Sequence, residues 1–234
     1  MGYYYGWFDP TYILVIIGMI IGLIASANVK GTFNKYSKVR SMGGMTGAEV
    51  ARRVLESQGI YDVEIRHVSG SLTDHYDPRN KTVNLSDTVY GSTSVAAAGV
   101  AAHECGHAVQ HHVGYAPLGI RSALVPVVNF GANISWPLII IGLFIRSEWG
   151  YYVIIAGVIL FSFAVLFQLV TLPVEFNASH RALEILGDTR ILGEDELKYT
   201  RKVLKAAAMT YVAALASSIL QFIRVLLIAN SRKR

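Results

Sequence analysis

The sequence predicts a mainly α-helical integral membrane protein with three to four transmembrane helices and a small β hairpin or sheet. Three observations predict it. Apolar residues make up 53% of the 234-residue chain and the mean hydropathy is +0.41, above the range of ordinary soluble domains. That excess is gathered into runs long enough to cross a bilayer. Between the first two runs, an Ala-rich helical stretch from Ser94 to His112 places two imidazoles and a carboxylate in successive turns, where a buried helix has no structural use for them.

The net charge of +5 does not read as a nucleic-acid surface. Lys30, Lys35, Lys38 and Arg40 follow the first apolar run, and Arg232, Lys233 and Arg234 follow the last. That is the placement of membrane flanks, so the bilayer is the expected partner and nucleic acid is not. The single cysteine, Cys105, excludes an internal disulfide.

Residues 1–29 read as an N-terminal transmembrane anchor. Tyr3, Tyr4, Tyr5, Trp7 and Phe8 have the amphipathic rings expected at the headgroups, and Thr11 to Ala27 carries no charge. A cleaved leader begins with basic residues, whereas this segment begins with tyrosines, which predicts a retained anchor. The basic cluster that follows predicts a cytoplasmic segment over 30–123. Within it, Thr46-Gly-Ala-Glu49 spells a capping box before Val50, Val54 and Leu55, with Gly59 as the stop, so a helix is expected over about 47–58. Alternation at Val63 and Ile65, and again at Val83 and Leu85 after Asp77-Pro-Arg-Asn80, predicts two short strands around a loop and turn. A strand just before the His-rich helix is expected to offer a free edge to an extended peptide.

Ser92, Thr93 and Ser94 are candidate N-caps of the helix that carries His103, Glu104 and His107 in the H-E-x-x-H spacing. Residues four apart lie on one face, so both imidazoles can close on one ion at about 2.0 Å from each nitrogen. Glu104, about 100° round the same turn, stands beside the ion, where a carboxylate serves as general base. The spacing predicts a catalytic Zn2+ site with His103 and His107 as ligands and Glu104 as catalytic residue. Cys105 faces the other way and is assigned to packing. His111 shares the ligand face but lies about 12 Å along the helix from His103, too far for the same ion.

The segment 124–171 reads as a transmembrane hairpin: Leu124 to Ile145, interrupted by Pro126 and Pro137, then a tight loop at Arg146 to Gly150, then Tyr151 to Val170. It returns the chain to the first side and delivers the 172–205 region, where Glu175 is the expected third ligand. Two His and one Glu leave the fourth position open, as in a catalytic site. Ser179, one turn after Glu175, is a candidate hydrogen-bond partner for a ligand imidazole, and His180 a candidate oxyanion stabiliser. In 206–234, the membrane helix and basic tail, Thr210, Ser217, Gln221 and Arg224 form one polar stripe on an apolar helix. The stripe either packs this helix on the other spans or lays it along the interface.

These passages, together with Asp74-His-Tyr-Asp-Pro-Arg79, Asn84-Leu-Ser86 and Pro173-Val-Glu-Phe-Asn-Ala-Ser179, make the chain resemble the bacterial membrane family of neutral zinc metallopeptidases over most of its length. The resemblance implies a zincin-like arrangement of the gluzincin type, in which the third ligand opens a Glu-x-x-x-Asp pattern; Ser179 stands where that pattern has Asp. It implies proteolysis and names no substrate. With the motif and the basic cluster after the first span, the leading reading is a zinc metalloendopeptidase of the cell membrane whose site faces the cytoplasm and takes peptide or protein substrates, membrane-associated ones included. Two other classes stay open: a non-catalytic scaffold stabilised by zinc, and an intramembrane zinc protease. Glu104 argues against the first, since a structural site needs no base. Asp87, Gln110, His111, His112 and Arg121 around the metal helix argue against the second.

Overall fold

The computed structural model describes residues 9–232, with the side chain of Arg232 excepted, so the aromatic run before Asp9 and the final basic residues lie outside the described residues. The described residues form six helices and one small sheet: α1 (Tyr12–Tyr36), α2 (Gly47–Ser57), β1 (Glu64–Val68), β2 (His75–Asp77), β3 (Thr82–Ser86), α3 (Val95–His112), α4 (Ala116–Phe144), α5 (Glu148–Asp188) and α6 (Glu194–Arg232). Four of them, α1, α4, α5 and α6, are long and apolar enough to cross a membrane. The helices divide between two compact units, one formed by 1–25, 120–171 and 211–234, the other by 26–119 and 172–210.

In the first unit, α4 and α5 form the expected hairpin, packed through small residues. A Cβ on Gly142 would lie 2.8 Å from the Gly150 carbonyl oxygen, and one on Gly157 2.8 Å from that of Ser135. Backbones approach this closely only where side chains are absent. Pro126 and Pro137 are accommodated inside one α4 helix that already begins at Ala116. Two members of the α6 polar stripe pack inward: Ser217 Oγ donates to the Gly18 carbonyl at 2.9 Å, and buried Arg224 stacks its guanidinium 4.2 Å from the Tyr12 ring centre, with Asp9 at 3.9 Å.

The second unit carries the sheet and the H-E-x-x-H helix. Thr46 caps α2 with the reciprocal bonds its sequence predicts, and Val50, Ala51, Val54 and Leu55 bury one face against α3. Ser94 is the α3 N-cap, accepting from Ala97 N–H at 3.1 Å. The small side chains of α3 let neighbours approach on several sides, and Cys105 is fully buried with its thiol against the Ala51 carbonyl. That burial pushes the Cys105 thiol far above its ordinary pKa, which leaves it an inert packing group.

The sheet corrects the sequence reading. A third strand, β2, pairs antiparallel with β3, while β1 pairs parallel with β3, giving the order β1-β3-β2. β3, the strand just before α3, is therefore central and has no free edge. The outer edges lie on β1 and on β2, and β2, at three residues, is too short for alternation to reveal. α5 runs unbroken from Glu148 through Pro173 to Asp188, so Glu175 is carried on the continuation of the hairpin's second helix.

Candidate metal centre

α3 places His103 and His107 one turn apart, with ring centres 4.8 Å apart and planes at 79°. Gly106 between them sets how closely α5 crosses. A Cβ there would fall 2.6 Å from the Ala178 carbonyl oxygen, so only glycine admits the α5 backbone at this point. The crossing brings Glu175 to the imidazoles. Its Oε2 lies 3.3 Å from His103 Nε2 and 3.5 Å from His107 Nε2. Among the described residues these three form the one group of His, Cys, Asp or Glu side chains, with one donor atom from each all within 4.8 Å, that could hold a metal ion. All three are largely shielded from water, Glu175 being 1% exposed.

The donor set fits zinc. Both histidines turn Nε2 inward and engage Nδ1 elsewhere, the arrangement that fixes a ligand imidazole in one orientation. Ser179 Oγ lies 3.2 Å from His103 Nδ1, as its position one turn after Glu175 predicts. Burial pulls the His107 imidazole down, but the hydrogen bond to Glu175 and the charges of Glu104 and Glu175, with Gln110 adding to them, outweigh it and raise its pKa. Glu104, itself 8% exposed, thus adds its field to the site from the same helix.

A family model described as "Putative neutral zinc metallopeptidase" matches residues 11–230. The chain belongs to this family. It is also 46% identical over 220 residues, 94% of this chain and 96% of the relative, to "Putative membrane protease YugP" of Bacillus subtilis (strain 168). No solved structure gives a significant match.

For this member of the zinc metallopeptidase family, sequence reasoning missed Gln110 as part of the centre. It is fully buried; its Nε2 donates to the Val174 carbonyl at 2.8 Å and to Asn177 Oδ1 at 3.0 Å, and its Oε1 lies 3.0 Å from His107 Nδ1. A carbonyl only accepts, so the amide nitrogen must face Val174 and the oxygen must face His107. His107 Nδ1 is then the donor, and Nε2 is the nitrogen whose lone pair is left for a metal. Arg181 Nε, donating to Asn177 Oδ1 at 2.8 Å, fixes the next amide in the chain. The signal was present: Gln110 stands three residues after His107, at the end of a run of Ala and Val on a buried helix. Replacing it with Leu is expected to weaken equilibrium zinc affinity by about 10- to 100-fold. Gln110→Glu, which keeps the acceptor for His107, should lose less. Zinc affinity measured by chelator competition checks both, and a Leu variant binding zinc as tightly as wild type contradicts this role.

The histidines outside the centre include His180 and His111. His180 is exposed and pairs with Glu184 at 3.2 Å, and no hydrogen bond or ion pair joins it to the three donors. His111 meets the hydroxyl of Tyr76, on β2, at 2.8 Å. Burial, with Asp62 and Asp77 nearby, pushes that Tyr76 hydroxyl up to about 12, so it stays protonated.

Proposed function

We propose that this chain is a membrane-bound zinc endopeptidase with its catalytic face toward the cytoplasm. The observation that carries the reading is the convergence of His103 Nε2 and His107 Nε2 on Glu175 Oε2, with the charge of buried Glu104 acting on His107 from the same helix, a fourth group that a purely structural zinc site does not need. His103, His107 and Glu175 would hold the ion, and Ser179 and Gln110 orient the two imidazoles. A zinc ion held there supplies a Lewis acid that makes water a nucleophile at neutral pH and polarises the scissile carbonyl. Glu104 accepts a proton on its carboxylate as the water oxygen bonds to the carbonyl carbon. It returns that proton to the amine nitrogen as the C–N bond breaks, leaving a carboxylic acid and a free amine. The low exposure of the site strengthens these charge interactions by excluding competing water. His180 remains the candidate oxyanion group only if a bound substrate draws it away from Glu184.

The activity is tested with the purified full-length chain and a casein-like substrate. Cleavage is expected, halted by a zinc chelator and restored by added zinc; cleavage indifferent to chelation contradicts the reading.

Orientation follows from the basic cluster after the first span. With the native Cys105 fully buried and silent, single cysteines at Arg40 and Glu148 report sidedness. An impermeant thiol reagent on intact cells is expected to modify position 148 and spare position 40. The opposite pattern reverses the assignment.

A further inference from the structure

Ser179 has a second neighbourhood. On one side its hydroxyl meets His103; on the other it lines a groove of about 520 Å³ between the 172–188 part of α5 and the 201–208 part of α6. Phe176, Leu183 and Leu204 give this groove apolar walls, and Arg201 and Lys205 stand together along it, one helical turn apart. The one carboxylate lining it, Glu184, is taken by His180.

The two cations differ from their neighbours on α6. Lys198 is held by Asp195 at 2.8 Å, and Lys202 lies over the Tyr199 ring. Arg201 and Lys205 are exposed and have no ion-pair partner among the described residues. Like charges four residues apart on a helix repel each other, and an anion bound between them would remove that cost. Arg201 adds a planar fork suited to a carboxylate.

We infer that this groove is a substrate subsite which takes an acidic side chain of the peptide, next to an apolar one, on Arg201 and Lys205 immediately beside the metal centre. The inference rests on the peptidase reading and names the substrate class for it. The groove adjoins the site through Ser179 itself, which lines it and whose hydroxyl meets His103 Nδ1.

The test uses full-length protein in zwitterionic detergent and two fluorescent peptides, amidated at the C-terminus, identical except for Glu or Lys near the cleavage point. Wild type is expected to favour the Glu peptide in kcat/KM by about two- to fivefold, the scale of a solvated ion pair. In the Arg201→Glu, Lys205→Glu double variant that ratio should invert. If that double variant does not fold, Arg201→Gln with Lys205→Gln should bring the ratio to about one. The control neutralises Arg52 and Arg53, exposed on α2, and should leave the ratio as in wild type. An equal shift in the control assigns the preference to overall charge and overturns the subsite. Equal handling of both peptides by wild type also overturns it, and the peptidase reading then stands alone. Should the double variant instead lose binding to phosphatidylglycerol vesicles with no change in ratio, the cations serve headgroups and the inference fails. If wild type cleaves neither peptide, the peptidase reading has failed. Fluorescence anisotropy on the same peptides then decides the groove: tighter binding of the Glu peptide, lost in the double variant, keeps it, and equal binding overturns it.

Discussion

Glu104→Gln is expected to retain zinc and lose peptide hydrolysis by about a thousandfold, the middle of the range for removing a positioned general base. The substitution keeps the shape of a side chain that is 8% exposed and leaves His103, His107 and Glu175 untouched. An amide cannot accept the proton that the attacking water must lose, so binding survives while chemistry stops. Turnover of a casein-like substrate and zinc per chain, measured on one preparation, separate the two effects. Undiminished cleavage by the variant refutes the mechanism. Loss of zinc together with activity would show instead that Glu104 helps hold the ion.

The second large effect is expected at Glu175. Its carboxylate is buried between two imidazoles and contributed by a helix distant in sequence, so Glu175→Ala removes a ligand and an α3–α5 contact together. Zinc affinity should fall by more than about a hundredfold, beyond the loss expected for a group that only supports a ligand, and activity should fall with it. Glu175→His keeps a zinc-binding group and should retain part of the affinity at a reduced rate, since the geometry shifts. The rival carboxylate Glu184 is half-exposed and paired with His180, so Glu184→Ala should leave zinc in place. Abolished zinc binding in Glu184→Ala, with Glu175→Ala intact, would mean that the two helices meet in another way.

Much of this arrangement is legible in the sequence because each signal has a local cause. Periodicity puts His103 and His107 on one face, a capping box starts α2, and charge-free runs mark the four long apolar helices. Ser179 is legible because one helical turn separates it from Glu175. Other features depend on contacts between distant segments. The pairing of β1 with β3 skips over β2, so no local pattern reveals that the strand before α3 is central. Gln110 looks like a surface residue until α5 arrives with Val174 and Asn177 to satisfy its amide. The importance of Gly106 appears only where the Ala178 carbonyl passes over it. His180, adjacent to Ser179 in sequence, lies about 100° further round the helix, and that rotation places it on the groove with Glu184.

The central claim is that this family member carries one catalytic zinc on two α3 histidines and one α5 glutamate. Elemental analysis of the full-length protein, purified without added metal or chelator and assayed for peptide cleavage in parallel, tests it most directly. The account predicts about one zinc per chain in active preparations, and activity that rises in proportion to zinc content. A preparation that cleaves peptides at full rate with no zinc or other divalent metal bound would contradict it.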